Sequence, residues 1–372
     1  MKKFFVIFLA ITLGFAAVSN LSAVSQSAVP FLLISPGARA AGMGEAFVGL
    51  ADDATAVFWN SAGLAFQTGR EITLMHSNWL PQLVSDMSYE FLAYRQYFES
   101  LGGTIGGNIT FLNMGEQVQT GESGPEPIGT FRSWDMAVSL SYATRLNKNL
   151  GIGVVMRYIR SNLSPVGAGE EKGNGVGNAF AVDVGVLYKF AFLKGLSFGA
   201  NLSNMGPKIT YVDAAQASPL PTNLKIGFAY KILDMEYNKL TITMDTNKLL
   251  VTAYYVDENG NRIDDVSNLS EEEKSKLEPK SDPFYKAIFT AWKGSLSDQL
   301  HSLISSCGVE YSYNNMILLR AGYYYDKEGE VMFPSFGAGL QYSKYRFDFA
   351  YVAAKAGHPL SNTMRFSLTA EF

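Results

Sequence analysis

Residues 133–145 read SWDMAVSLSYATR. Trp134, Met136, Val138, Leu140 and Tyr142 are apolar, while Ser133, Asp135, Ala137, Ser139 and Ser141 between them are polar or small. A period of two places successive side chains on opposite faces, which is the signature of a β-strand with one apolar and one polar face.

The same alternation recurs along the chain. Leu150, Ile152, Val154, Met156 and Tyr158 follow it, as do Phe180, Val182, Val184, Val186 and Tyr188. Leu224, Ile226, Phe228 and Tyr230 repeat it, and the chain closes on Met364, Phe366, Leu368, Ala370 and Phe372. Alternation alone allows two solvents for the apolar face: the interior of a soluble sandwich, or lipid around a barrel with a polar lumen. Segment length favours lipid. The segments run about 10–13 residues, enough for a tilted strand to cross a bilayer and longer than the usual soluble strand.

About fourteen strands are expected, at 71–78, 87–98, 103–114, 132–144, 149–160, 179–190, 195–205, 223–232, 239–249, 303–313, 316–325, 334–342, 345–353 and 362–372. Connections after odd-numbered strands are long and polar: 115–130, 161–177, 206–222 and an insert at about 250–302. Those after even-numbered strands are short: 99–102, 145–148, 191–194 and 314–315. Long outer loops alternating with short periplasmic turns mark an outer-membrane barrel. Both termini are then expected on the periplasmic side. Closure would remove the edges that so many strands otherwise expose.

Composition agrees. Of 372 residues, 13% are aromatic and only 17% charged, against about a quarter charged in soluble domains. The net charge of −4 supplies no basic field for nucleic acid. Lys2 and Lys3, the apolar run 4–18 and the small residues of SNLSAVSQSA (19–28) have the order of a secretory signal peptide, with cleavage expected between Ala23 and Ala28. The run is too short for a spanning helix. Residues 1–28 are therefore assigned to a signal peptide, 29–70 to an N-terminal plug or hatch, and 71–372 to the barrel.

No catalytic or metal constellation is legible. His76, His301 and His358 have no ligand spacing, and Cys307 is alone. Gly42 and Gly44 begin a dinucleotide-like spacing, but Phe47 occupies the third glycine position. Asp183, Asp245 and Asp348 are single acids on polar strand faces, expected to be solvated lumen residues. Within the insert, DENGNRIDD (257–265) begins like a calcium loop, yet Arg262 replaces the turn glycine and Asn268 the terminal glutamate, so a solvated turn is expected. Ser270 and Glu273 form a capping-box pair. Asp282 is expected to cap a second helix with Pro283 at its first position. Phe284, Tyr285, Ile288, Ala291 and Trp292 would give that helix an apolar stripe, for packing on the barrel rim or docking a partner. No cofactor, metal or enzymatic activity is expected.

Residues 37–65, GARAAGMGEAFVGLADDATAVFWNSAGLA, lie before the first strand. Asp52 or Asp53 is expected to cap a short helix containing Phe58 and Trp59 as packing anchors, with Asn60 to Gly63 as its exit turn. A compact segment rich in Gly and Ala suits a plug inside the lumen.

From Pro36 onward this stretch resembles the N-terminal signature of the PorV/PorQ-type outer-membrane proteins, within the FadL-like transporter superfamily. GVEYSYNNMILLRAGYYY (308–325) and HPLSNTMRFSLTAEF (358–372) are similar to that family's closing strands. Glu45 stands where the family usually has Gly, and Ser61 where it usually has Pro. The resemblance implies a fourteen-stranded outer-membrane barrel with its N-terminal segment in the lumen. It also implies a role as a binding, shuttle or translocon-associated component of type IX-like protein secretion. The alternatives are a channel for hydrophobic small molecules, a structural outer-membrane protein and a soluble secreted β-protein. Implied partners are outer-membrane lipid, a secretion translocon or secreted cargo, hydrophobic small molecules, and the barrel-assembly machinery, which would read Phe366, Leu368 and Phe372.

Overall fold

The computed structural model describes residues 27–121, 124–164, 175–213, 216–264 and 269–372. Most of the signal-peptide assignment falls outside them. Fourteen strands close into a barrel: β1 (Arg70–Asn78), β2 (Ser88–Phe98), β3 (Gly103–Gly121), β4 (Gly124–Arg145), β5 (Leu150–Asn162), β6 (Val176–Lys189), β7 (Leu196–Met205), β8 (Asn223–Asp234), β9 (Asn238–Leu249), β13 (Ile304–Tyr313), β14 (Ile317–Asp326), β15 (Val331–Tyr342), β16 (Tyr345–Val352) and β17 (Thr363–Glu371). Three short strands of the outer insert, β10 (Ala253–Val256), β11 (Arg262–Ile263) and β12 (Glu278–Ser281), form a separate sheet. Every barrel neighbour is antiparallel, and β1 pairs with both β2 and β17. Reciprocal backbone hydrogen bonds between Arg70 and Phe372 (2.9 and 3.3 Å) complete the seam.

The faces are inverted relative to a soluble protein. On β4 the buried positions are Ser133, Asp135, Ala137, Ser139, Ser141 and Ala143, whereas Leu140 is 62% exposed. Leu74, Met156, Phe180, Phe336, Phe347, Phe366 and Leu368 are likewise exposed. An apolar exterior with a polar interior is stable only when lipid covers the exterior, so the soluble-sandwich alternative falls.

Two connections differ from expectation. Most of the polar stretch 115–130 continues β3 and β4 as a hairpin, pairing Glu116 with Arg132 and Gln119 with Gly129. Val118 and Ile128 in this extension are both exposed. The path of the N-terminal segment is the second difference. Ala28 N donates to Pro219 O (2.9 Å) in the long β7–β8 connection, at the outer end of the barrel. The described chain thus starts at the outer mouth, descends through the lumen and enters β1 at the short-turn end. Of the described residues, the first lie at the outer mouth and the last, Phe372, lies beside Arg70 at the short-turn end. Apolar burial explains the entry point: Val29, Phe31 and Leu32 pack among Tyr89, Phe91, Leu112, Ile159, Ile209 and Leu220, which line the outer half of the lumen.

Candidate functional site: the plug and its seat

The plug consists of short turns. A 3-10 turn at Pro30–Leu33 is followed by helices Ala38–Ala41 and Ala56–Trp59 and a second 3-10 helix, Ser61–Phe66. None is long enough to be stable alone, so the barrel wall holds them. Polar lumen residues satisfy backbone donors that short helices leave open. Ser367 Oγ accepts from Ala38 N (2.9 Å) and Ser335 Oγ from Gly44 N (3.0 Å). Asp245 Oδ2 accepts from Phe47 N (2.5 Å) and Val48 N (2.7 Å). Glu71 Oε1 accepts from Ala54 N (2.5 Å). Backbone acceptors are met in turn, with Tyr89 OH donating to Ile34 O (2.8 Å) and Ser197 Oγ to Gly49 O (2.6 Å).

Plug and wall are locked by a closed cycle of charges. Arg39 donates through Nε to Glu310 Oε2 (2.9 Å) and through Nη2 to Glu310 Oε1 (2.8 Å), a bidentate pair. Glu310 also accepts from Arg320 Nε (2.7 Å), and Arg320 Nη1 donates to Asp348 Oδ1 (2.8 Å). Asp348 Oδ2 accepts from Arg346 Nε (2.8 Å), and Arg346 Nη2 donates to Asp53 Oδ2 (3.1 Å). Asp53 returns to Arg39 Nη1 at 3.1 Å. The cycle alternates Arg39, Arg320 and Arg346 with Glu310, Asp348 and Asp53, so it is neutral within itself. Two members belong to the plug and four to β13, β14 and β16. Nearer the outer mouth, Arg365 spans the same gap, donating to Ser35 O (2.6 Å) and Glu45 Oε1 (2.9 Å).

Glycines let the two backbones touch. A Cβ on Gly322 would lie 2.0 Å from Gly44 N, and one on Gly308 would lie 2.3 Å from Met43 O. Gly44 has φ +65°, which a side chain strains, and its own Cβ would meet Tyr323 N at 2.5 Å. These wall glycines make room for the plug backbone.

The sequence-marked positions fall as follows. Gly42 packs backbone to backbone on Gly337, and Gly63 packs on Ala51. Asp52 pairs with Arg39 at 2.7 Å. Neither Asp52 nor Asp53 caps the helix: Thr55 is its N-cap, without a side-chain bond, and Asp53 Oδ1 accepts from Thr55 N (3.0 Å) and Thr55 Oγ1 (2.5 Å). The Arg39 and Arg346 charges draw Asp53 toward the wall instead. Phe58 and Trp59 meet edge to face at 5.4 Å, with Lys225 Nζ over both rings. Asn60 does not open an exit turn. It caps Ser61–Phe66, accepting from Ala62 N (3.2 Å) while donating to Val48 O and Val186 O. Gly63 lies inside that second helix rather than ending the first. Phe366 and Leu368 face lipid on β17, paired across the seam with His76 and Leu74.

The acids expected to be solvated are not. Asp245 holds plug amides, Asp348 sits in the charge cycle, and Asp183 pairs with Arg157 (2.7 Å) and accepts from Asn204 N (2.7 Å). The roles of Arg39, Glu310, Arg320 and Arg346 were not read from the sequence. Their parity was available: a charged residue at an inward position of a barrel strand needs a partner.

In the insert, Asp257 Oδ1 accepts from Asn259 N (2.9 Å) and Asn261 N (2.8 Å), as a self-satisfied turn does. The Ser270–Glu273 capping box forms. Pro283, not Asp282, is the N-cap of helix Phe284–Thr290. Asp282 instead accepts from Thr290 Oγ1 (2.8 Å) and pairs with Lys286 Nζ (2.8 Å). Of the expected stripe, Tyr285 and Trp292 are exposed while Phe284, Ile288 and Ala291 are half-buried; outside it, Ala287 is buried and Phe289 is 78% exposed.

A closed fourteen-stranded barrel filled by its own N-terminal segment narrows the choice of families. Residues 18–255 match the family described as Type IX secretion system protein PorV. The chain belongs to that PorV family. No curated protein matches it in sequence. Solved structures with a similar fold include the Pseudomonas putida toluene transporter TodX, at 13% identity and TM-score 0.51 over 91% of this chain and 99% of that one. A Pseudomonas aeruginosa FadL homologue aligns at 11% identity and TM-score 0.50, covering 90% and 97%. This PorV-family chain therefore has an outer-membrane barrel fold of the FadL-like kind.

Proposed function

We propose that this PorV-family protein is a binding or shuttle component of protein secretion at the outer membrane, acting through its outer surface rather than its lumen. The observation that carries this reading is the seating of the plug: a six-membered charge cycle, lumen-to-backbone hydrogen bonds and glycine-to-glycine packing hold one barrel filling in place. Family membership supplies the secretion context. The insert supplies a surface, with Tyr285, Phe289, Trp292 and Leu296 exposed on the long-loop side. In this reading the chain is not an enzyme. Its signal peptide is cleaved after export, residues 29–70 act as a fixed stopper, and the strand ending at Phe372 is read during barrel assembly. Affinity capture of the tagged protein from membranes of its own cells should recover a secretion channel or secreted cargo. Capture of neither from cells that possess such a system rejects the proposal.

A channel for hydrophobic solutes is the second reading. The apolar wall around Phe31 and Leu32 favours it. Uptake of labelled fatty acids or aromatics that is unchanged in a deletion strain counts against it.

A further inference from the structure

We propose that the apolar face of the outer insert is seated in the outer leaflet of the membrane, so that the solvent it meets is lipid. Helix Phe284–Thr290 places Tyr285 and Phe289 one turn apart, and helix Leu296–His301 places Leu296 and Leu300 one turn apart, with Trp292 between the two helices. All five side chains are exposed. In water such a patch lacks a cover, whereas in lipid it needs none. Trp and Tyr gather at a membrane–water boundary because each has an apolar body and a polar tip.

The place where this face joins the barrel decides the occupant. On β9, Thr241, Thr243 and Asp245 are buried in the lumen, so Leu240, Ile242, Met244, Thr246 and Lys248 form the outward row. Lys248 pairs with Leu224, in the outward row of β8 that carries exposed Phe228, and the register runs without a shift between them. Yet Lys248 is buried, because the insert covers it: its Nζ donates to Ser302 Oγ and lies 5.3 Å from the centre of the Trp292 ring. The insert therefore meets the wall on its lipid side. The neighbouring outward level runs from Thr246 through Ser305 and Tyr325 to exposed Met332, on β9, β13, β14 and β15. Depth agrees. Tyr313, exposed and paired with Asn238, stands at the short-turn edge. From the level of Asn238 to Lys248 is about 33 Å along the strand, or about 25 Å along the membrane normal at a tilt of about 40°. That is about the height of the apolar band of an outer-membrane barrel. Trp292 thus meets the wall at the upper edge of that band, where an aromatic belt belongs.

The test uses the full chain in phosphatidylcholine nanodiscs. Cys307→Ser removes the exposed native thiol, and a nitroxide is attached through Phe289→Cys or Leu296→Cys. Electron paramagnetic resonance then reads collision with oxygen, which concentrates in lipid, and with a nickel chelate, which stays in water. Both labels should collide severalfold more with oxygen than with nickel, as should a label placed through Leu140→Cys on the lipid face of β4. A label placed through Asn259→Cys, in the exposed turn of the insert, should show the reverse. Heat-modifiable migration on gels reports that each barrel is folded, and if one labelled variant fails that check the other carries the test. Nickel collision exceeding oxygen collision at Phe289 or Leu296 puts the face in water and overturns the proposal. Low collision with both reagents means that protein covers the face, a second copy included, and overturns it as well. A partner captured through Phe289 then meets it at the membrane surface. The two readings fail separately: failed capture of a secretion channel leaves the lipid contact standing, and water-exposed labels leave the secretion reading standing.

Discussion

The plug seat and the outer insert use the same side chains for opposite ends. In the seat, Arg39, Glu310, Arg320, Asp348, Arg346 and Asp53 close a cycle inside the barrel, where their side chains are almost fully buried and each charge depends on its two neighbours. In the insert, Asp282 gathers Lys286, Thr290 and Arg262 beneath a thin layer of the loop's own atoms, and Asp257 serves only its own turn. The aromatic residues divide in the same way. Phe58 and Trp59 are buried against Lys225, whereas Phe289 faces solvent. The lesson is that burial, not residue type, sets what an ion pair is worth. A buried cycle is costly to break because each remaining charge is stranded, while an exposed pair is screened and its loss is small.

That contrast can be broken at four places. Arg320→Ala is the largest change: it leaves Glu310 and Asp348 facing each other without their shared cation, at a cost of about 3–5 kcal/mol. Urea titration of gel mobility should register it, together with protease cleavage within residues 37–65. Resistance equal to the parent's would show that the cycle does not hold the plug. Gly322→Val comes next, because it thrusts a side chain into Gly44 and should cost about 1–3 kcal/mol through overpacking. The barrel should still migrate as folded while its plug becomes protease-sensitive. An unaffected plug would mean that the wall yields easily there.

Asp282→Asn tests the insert. Burial pushes the Asp282 carboxyl up, but the contacts to Lys286, Thr290 and Arg262 outweigh it and hold the group below the usual carboxylate value. A depressed folded value means stability present above the unfolded value of about 3.9 and lost as pH falls through the folded value. Cleavage of the insert by an acid-active protease should therefore rise below about pH 4 in the parent, and less steeply in Asp282→Asn, with the barrel unchanged. Equal acid sensitivity in both proteins would remove Asp282 as the cause. Phe289→Ser is the smallest for stability, within about 0.5 kcal/mol, yet it should weaken capture of an outer partner. Unchanged capture would move the docking surface elsewhere.

Much of the fold was legible because a membrane barrel writes its geometry as a period of two. SWDMAVSLSYATR became the lumen-facing and lipid-facing rows of β4, residue by residue. Loop lengths separated the two mouths. The plug signature at 37–65 was recognisable, but its bonds were not. Asp53 reads locally as a cap for the residues that follow it, and nothing adjacent shows that Arg39 and Arg346 will draw it away. Glu45 is similar: it holds a left-handed φ of +65° where the resembling family usually has Gly, and its carboxylate meets Arg365, 320 positions distant.

By itself the sequence determined strand parity, strand number, the polar lumen and the resemblance to one family, because each is written in neighbouring residues. Only the tertiary structure decided that the segment from residue 27 onward enters from the outer mouth, that Asp183, Asp245 and Asp348 are bonded to plug or wall rather than wet, and that inward glycines seat a backbone. The physical reason is range. Alternation is local and survives in the linear chain, whereas a charge cycle joining residue 39 to residues 310, 320, 346 and 348 exists only once the barrel has closed around its own beginning.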